Sequence, residues 1–158
     1  MRKGEKGILA VIGISIVSLA AFHYIRDLGQ KPDPGIPFYS TSSKEFSGQA
    51  TKLIEREHCR DCHSLWTLKN ILESVPAPML DGIGSLHDEQ WFYRYFSAEN
   101  PQAIIPTRLK PKYKMPSYAK LPEADRRMLA KYMASLKVKK WYLAHVKKAE
   151  HHALTGKD

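Results

Sequence analysis

Hydrophobic and polar positions divide this chain into one unbroken apolar run near the N-terminus and an amphipathic remainder. From Gly7 to Ile25 the sequence carries no charge, with two serines and one histidine as its main polar interruptions. Nineteen helical residues reach roughly 28 Å, close to the hydrocarbon thickness of a bilayer, so the run predicts one N-terminal transmembrane helix. It exceeds the apolar core of a cleaved signal peptide, about 7–15 residues. Beyond it, apolar residues recur at helical spacing. Phe46, Ala50, Leu53 and Ile54 predict a helix over 44–58, and residues 65–75 a short second one. A third runs over 87–97 behind Ser85 as cap, with Trp91, Phe92, Tyr95 and Phe96 on a largely apolar face. Leu121-Pro122-Glu123-Ala124-Asp125 reads as a helix start, and Met128, Leu129, Tyr132, Met133 and Leu136 follow at intervals of three and four. No alternating strand of useful length is visible, so the expected fold class is all-α.

These patterns give four segments. Residues 1–28 are the transmembrane anchor, 29–43 a Pro/Ser-rich spacer, 44–137 a helical domain and 138–158 a basic C-terminal extension. The spacer holds Pro32, Pro34, Gly35 and Pro37 before Ser40, Thr41, Ser42 and Ser43, a composition that stays extended and semi-rigid. In the extension, Trp141, Tyr142, His145, Val146 and Ala149 keep some helical period. From Lys137 onward six lysines face two acids. It reads as a solvated helical extension, or as a contact arm for a partner subunit or anionic lipid.

Charge then orients the chain. Arg2, Lys3 and Lys6 precede the apolar run, while Arg26 and Lys31 are the bases in the eighteen residues after it. The positive-inside rule puts the N-terminus in the cytoplasm and everything after Ile25 outside, as expected of a single-pass protein. The whole chain has 25 Lys plus Arg against 16 Asp plus Glu, a net +9. Basic charge interleaved with aromatics suits nucleic acid, but the export topology argues against that partner. The charge is expected instead to steer docking onto acidic partner surfaces. Two cysteines cannot form a disulfide framework, and the length excludes a large multidomain enzyme.

Those cysteines stand in Cys59-Arg60-Asp61-Cys62-His63, a CxxCH motif. Its two thiols can add to the two vinyl groups of one haem, and the adjacent His63 is placed to ligate the iron. A redox dithiol would sit at a helix start within alternating strands and helices, a pattern absent here. A zinc site needs about four ligands; His58 could be a third, and a fourth is hard to name. For the sixth iron position Met115, in Lys114-Met115-Pro116, offers a soft thioether in a proline-rich loop. Met79 follows His63 too closely, and Met128 and Met133 read as helix core. His58 and His87 are weaker candidates for the same position.

CxxCH, a loop methionine followed by proline, and the terminal run LPEADRRMLAKYMASLK together resemble a class I cytochrome c over roughly 43–137. Trp91 in DEQWF and Pro101 after Asn100 fall in that family's order. The resemblance implies a haem-wrapping helical domain holding one covalent haem c. It implies Cys59, Cys62, His63, Met115 and Pro78 as cofactor-binding residues, with His63 and Met115 on the metal. In the family a proline carbonyl fixes the proximal histidine ring; Pro78 matches best, with Pro76 as rival. A small residue against an aromatic also marks the crossing of first and last helices, for which Tyr132 and, offset, Gly48 are present.

The function so implied is electron transfer, without catalysis by the chain itself. The expected partners are redox proteins of a respiratory complex, a quinol-oxidising complex or a terminal oxidase, with this chain as a fixed subunit. A tethered periplasmic shuttle is the alternative. From a different class comes a haem sensor or enzyme with an open iron site, should Met115 leave the metal.

Overall fold

The computed structural model describes residues 3–29, 34–66, 68, 75 and 77–157. The chain divides into two compact units, Met1–Gly35 and Ile36–Asp158. It is mostly helical.

The first unit is the helix α1 (Lys3–Gly29), with Glu5 in its first turn and Arg26 in its last, the polarity the helix dipole favours. Its described apolar side chains, among them Ile12, Ile16, Leu19 and Phe22, are exposed. Ser15 returns its hydroxyl to the Val11 carbonyl at 2.9 Å. Among the described residues no helix is long and apolar enough to cross a membrane. The side chains of Leu9 and Ala10, inside the expected span, lie outside the described residues.

In the second unit the order is β1 (Phe38–Ser40), α2 (Lys44–Arg56), α3 (Cys59–Cys62), α4 (Glu89–Ser97), α5 (Glu123–Ser135), β2 (Leu136–Val138) and α6 (Leu143–Thr155). Short 3₁₀ turns lie at Ile83–Ser85, Pro101–Ala103, Pro111–Tyr113 and Lys140–Tyr142. Ser43 caps α2 by accepting from the Phe46 N–H at 3.2 Å. α2 and α4 both pack on α5. Ala50, Leu53 and Ile54 of α2 and Phe92 and Phe96 of α4 meet Leu129, Ala130, Tyr132 and Met133 in one core. Fully burying Ile54 or Leu129 stabilises by about 1.5–3 kcal/mol each. At the far end of α5 the 3₁₀ turn at Ile83–Ser85 comes so close that a Cβ on Gly84 would overlap the Met133 and Ala134 carbonyls. The close-approach glycine is therefore Gly84. Gly48 has nothing within 4 Å of where its Cβ would lie.

Three sequence expectations need correction. Part of the spacer is structured: β1 pairs antiparallel with β2, Tyr39 opposite Lys137. The Lys139 N–H extends the ladder by donating to the Pro37 carbonyl at 2.8 Å. Three-residue strands are too short to show an alternation, which is why the sequence hid them. The cap of α4 is Asp88, whose carboxylate accepts from the Trp91 N–H at 2.7 Å, and the helix starts at Glu89. Ser85 instead accepts from the Val138 N–H at 2.9 Å, tying the 3₁₀ turn to β2. The helix expected from Leu65 does not begin there. Leu65 and Leu68 exchange two backbone hydrogen bonds at 3.0 Å, and Trp66 takes a left-handed φ of 51°. Most of 69–75, and Pro76 with it, lies outside the described residues.

Candidate functional site

α3 is four residues long and follows α2 through His58, whose φ of 55° supplies the sharp turn between them. The His63 N–H closes the helix on the Cys59 carbonyl at 3.0 Å. Cys59, Cys62 and His63 thereby reach the wall of a single cavity of about 360 Å³. That volume lies in the range of small-molecule and cofactor sites. Most of the remaining wall is apolar or aromatic, including Ile83, Phe92, Phe96, Leu129 and Met133.

After the motif the chain returns beneath it. The Leu80 N–H donates to the Ser64 carbonyl at 2.9 Å, and the Pro78 carbonyl lies 2.7 Å from His63 Nδ1. A carbonyl only accepts, so Nδ1 carries the proton and the imidazole lone pair is on Nε2. This is the tautomer a metal-ligating histidine needs, with its ring orientation fixed from behind.

Met115 lines the same cavity, brought there by the loop between α4 and α5. The 3₁₀ turn at Pro111–Tyr113 shapes the approach, and Gln102 Nε2 donates to the Met115 carbonyl at 2.8 Å. Two residues on, Ser117 Oγ donates to the Ala98 carbonyl at 2.8 Å, and the buried Tyr118 ring meets Phe96 edge-on. The structure thus gathers Cys59, Cys62, His63, Pro78 and Met115 around one space. Met79 and Met128 are not on its wall, and Met133 is, from within the core. His58 and His87 also line it. His58 is turned to solvent beside Asp61, and His87 Nε2 donates to Glu150 Oε1 at 3.0 Å.

Burial pushes the Cys59 thiol up to about 11 and the Tyr95 hydroxyl up to about 12, and it raises Tyr118 as well. A dithiol exchanger or a zinc site depends on thiolate, which a depressed thiol supplies. Cys59 is shifted the other way. Among the described residues no three His, Cys, Asp or Glu side chains group as a metal site. One imidazole and one thioether on a largely apolar wall, beside two cysteines, is instead a donor set that would suit a haem.

No family model, curated protein or solved structure matches the chain.

One wall escaped the sequence reading. Glu150, Ala153 and Leu154 of α6 line the cavity, so the extension packs on the domain rather than standing clear of it. The signal was a stripe at 146, 150, 153 and 154, obscured because one of its members is a carboxylate. Trp91, also on the wall, stacks between His87 at 3.8 Å and Tyr95 at 5.3 Å.

Proposed function

We propose that this chain is a membrane-anchored monohaem c-type cytochrome that passes single electrons on the periplasmic side of a bacterial inner membrane. The observation that carries the reading is the 2.7 Å contact between His63 Nδ1 and the Pro78 carbonyl, on the wall of a cavity that two cysteines and a methionine also line. Cys59 and Cys62 would hold one haem c by thioether bonds, with His63 Nε2 and Met115 Sδ as the donors to its iron. When bound, the haem supplies the one-electron chemistry, ferric to ferrous and back. The chain's own residues do the rest. Pro78 fixes the proton on Nδ1 and so the donor on Nε2. Gln102 holds the Met115 backbone in place. Phe92, Phe96 and Leu129 exclude water.

The anchor rests on the uncharged run Gly7–Ile25 and on the exposed apolar side chains of α1, a surface that asks for lipid or protein cover. Ser15, bonded to the Val11 carbonyl, meets the requirement that polar groups in hydrocarbon be satisfied within the helix. The partners would be acidic surfaces of a quinol-oxidising complex or a terminal oxidase. With α6 folded onto its own domain, the extension no longer serves as an argument for a contact arm. The case for a fixed subunit then rests on co-purification in mild detergent.

The test is the intact mass of protein produced with a c-type haem maturation system. One covalent haem that survives acid-acetone extraction is expected, and haem released by extraction would sink the reading. A cytoplasm-only reporter fused behind residue 158 should stay silent, and an active one would reverse the topology.

A further inference from the structure

Several contacts among the described residues tie α6 to the rest of its unit. Val146 is buried at 3% exposure. One turn on, Glu150 Oε1 accepts from His87 Nε2 at 3.0 Å, and the two side chains are only 18% and 23% exposed. At the helix end Gly156 takes a left-handed φ of 72°, and a Cβ there would lie 3.0 Å from Arg108 Nε, so the Arg108 side chain sits across the cap. The helix therefore bridges the start of α4, through His87, and the segment leading to Met115, through Arg108. Between those supports Glu150, Ala153 and Leu154 line the cavity.

Glu150 is the unusual member. A carboxylate on a largely apolar wall costs desolvation free energy unless it is paired and kept for a purpose. His87 holds it there, and the His87 ring is itself clamped flat on Trp91, with 14° between the planes. An anion fixed at the edge of a low-dielectric cavity favours the more positive charge state of whatever the cavity holds.

We propose that α6 is a wall of the cofactor site, and that Glu150, positioned by His87, is a fixed anion that lowers the reduction potential of the bound group. The inference rests on the haem reading above. Oxidised haem carries one more positive charge than reduced haem, so the carboxylate stabilises the oxidised form more. Replacing it with an amide makes the cavity edge more positive and raises the potential. Because the side chain is largely shielded, added salt should leave much of the effect in place. The influence of an exposed charge, by contrast, fades beyond a Debye length of about 10 Å at 0.1 M.

The experiment is spectroelectrochemical titration of the full-length, haem-loaded protein in detergent, at low and high salt. Glu150→Gln should raise the midpoint potential at both salt concentrations. Glu45→Gln removes the same charge from the exposed first turn of α2 and should produce a smaller shift that fades with salt. Glu150→Asp keeps the charge but shortens the reach to His87, and its potential should return towards wild type; a role in packing alone would shift Asp and Gln alike. A Glu150→Gln potential that tracks Glu45→Gln, or equals that of Glu150→Asp, overturns the proposal while leaving the haem reading intact. A protein that carries no covalent haem overturns both.

Discussion

His63 and Met115 face one cavity from supports of different kinds. His63 ends a four-residue helix that follows α2 directly, and its ring is fixed by a carbonyl only fifteen positions away. Both of these contacts are short in sequence. Met115 sits in a loop, between a three-residue 3₁₀ turn and Pro116, and a single side chain, Gln102, is bonded to its carbonyl. The histidine side is set by local geometry, and the methionine side depends on α4 and α5 already being packed. Local opening free energies are smallest where buried contacts are few, so the methionine side is the one expected to yield first to heat, denaturant or competing ligands.

That contrast can be broken most directly at the motif. Cys59→Ala together with Cys62→Ala should abolish covalent haem, leaving a product with the apo mass. Near-normal retention of haem would show that the local side is not the anchor. Next in size is Met115→Ala. The haem should remain attached, the weak sulfur charge-transfer band near the red end of the oxidised spectrum should vanish, and the potential should fall, because thioether ligation favours ferrous iron. Met79→Ala should leave that band unchanged. Should the band survive Met115→Ala and disappear in Met79→Ala, the wrong methionine has been placed on the metal.

Smaller effects sharpen the same comparison. Gln102→Ala removes one neutral hydrogen bond, about 0.5–1.5 kcal/mol. The band should bleach at lower denaturant concentration than in wild type, while the haem stays covalently attached. A band that bleaches together with global unfolding would mean that both sides share one cooperative unit. The smallest effect belongs to the thiols. Burial lifts Cys59 from its ordinary 9.0 to about 11. The neutral thiol therefore contributes stability that is complete below pH 9 and is lost as pH rises through about 11. Haem-free protein should weaken over that window, and its Cys59→Ala variant should weaken less. Haem-loaded protein, whose sulfurs are thioethers, should lack the Cys59 contribution altogether. An equal alkaline loss in loaded and haem-free protein would argue against thioether bonds at Cys59.

What the sequence disclosed followed the same division. CxxCH places three groups within five positions, so their meeting at one site can be read without knowing the fold. Met115 was accessible through the softness of sulfur and the prolines around it, although its arrival at the cavity depends on long-range packing. The α2 and α5 stripes were plain because three or four apolar residues recur on each. β1 and β2 were not, since neither strand exceeds three residues and each is recognisable only by its partner. The α6 wall was hidden for a related reason. A surface stripe containing Glu150 looks solvated until His87 is known to stand opposite. The start of α4 moved by two residues because Ser85 and Asp88 are both good caps, and Ser85 is occupied by the Val138 N–H.

The β1–β2 ladder also has a mechanical meaning. The segment from Pro37 to Thr41 is stitched to the chain just after α5 by the strand pairing, by Lys139 N–H on the Pro37 carbonyl and by Thr41 N–H on the Ser135 carbonyl. Tension arriving from the N-terminal side therefore meets this seam before it reaches Lys44, the first residue of α2. Only after the seam parts would the load pass to α2 and, through His58, to the turn that aims Cys59. A pull on the N-terminal side would in this way leave the cysteines and histidine in register, with the short ladder acting as a strain relief, much as a knot behind a plug protects the wire.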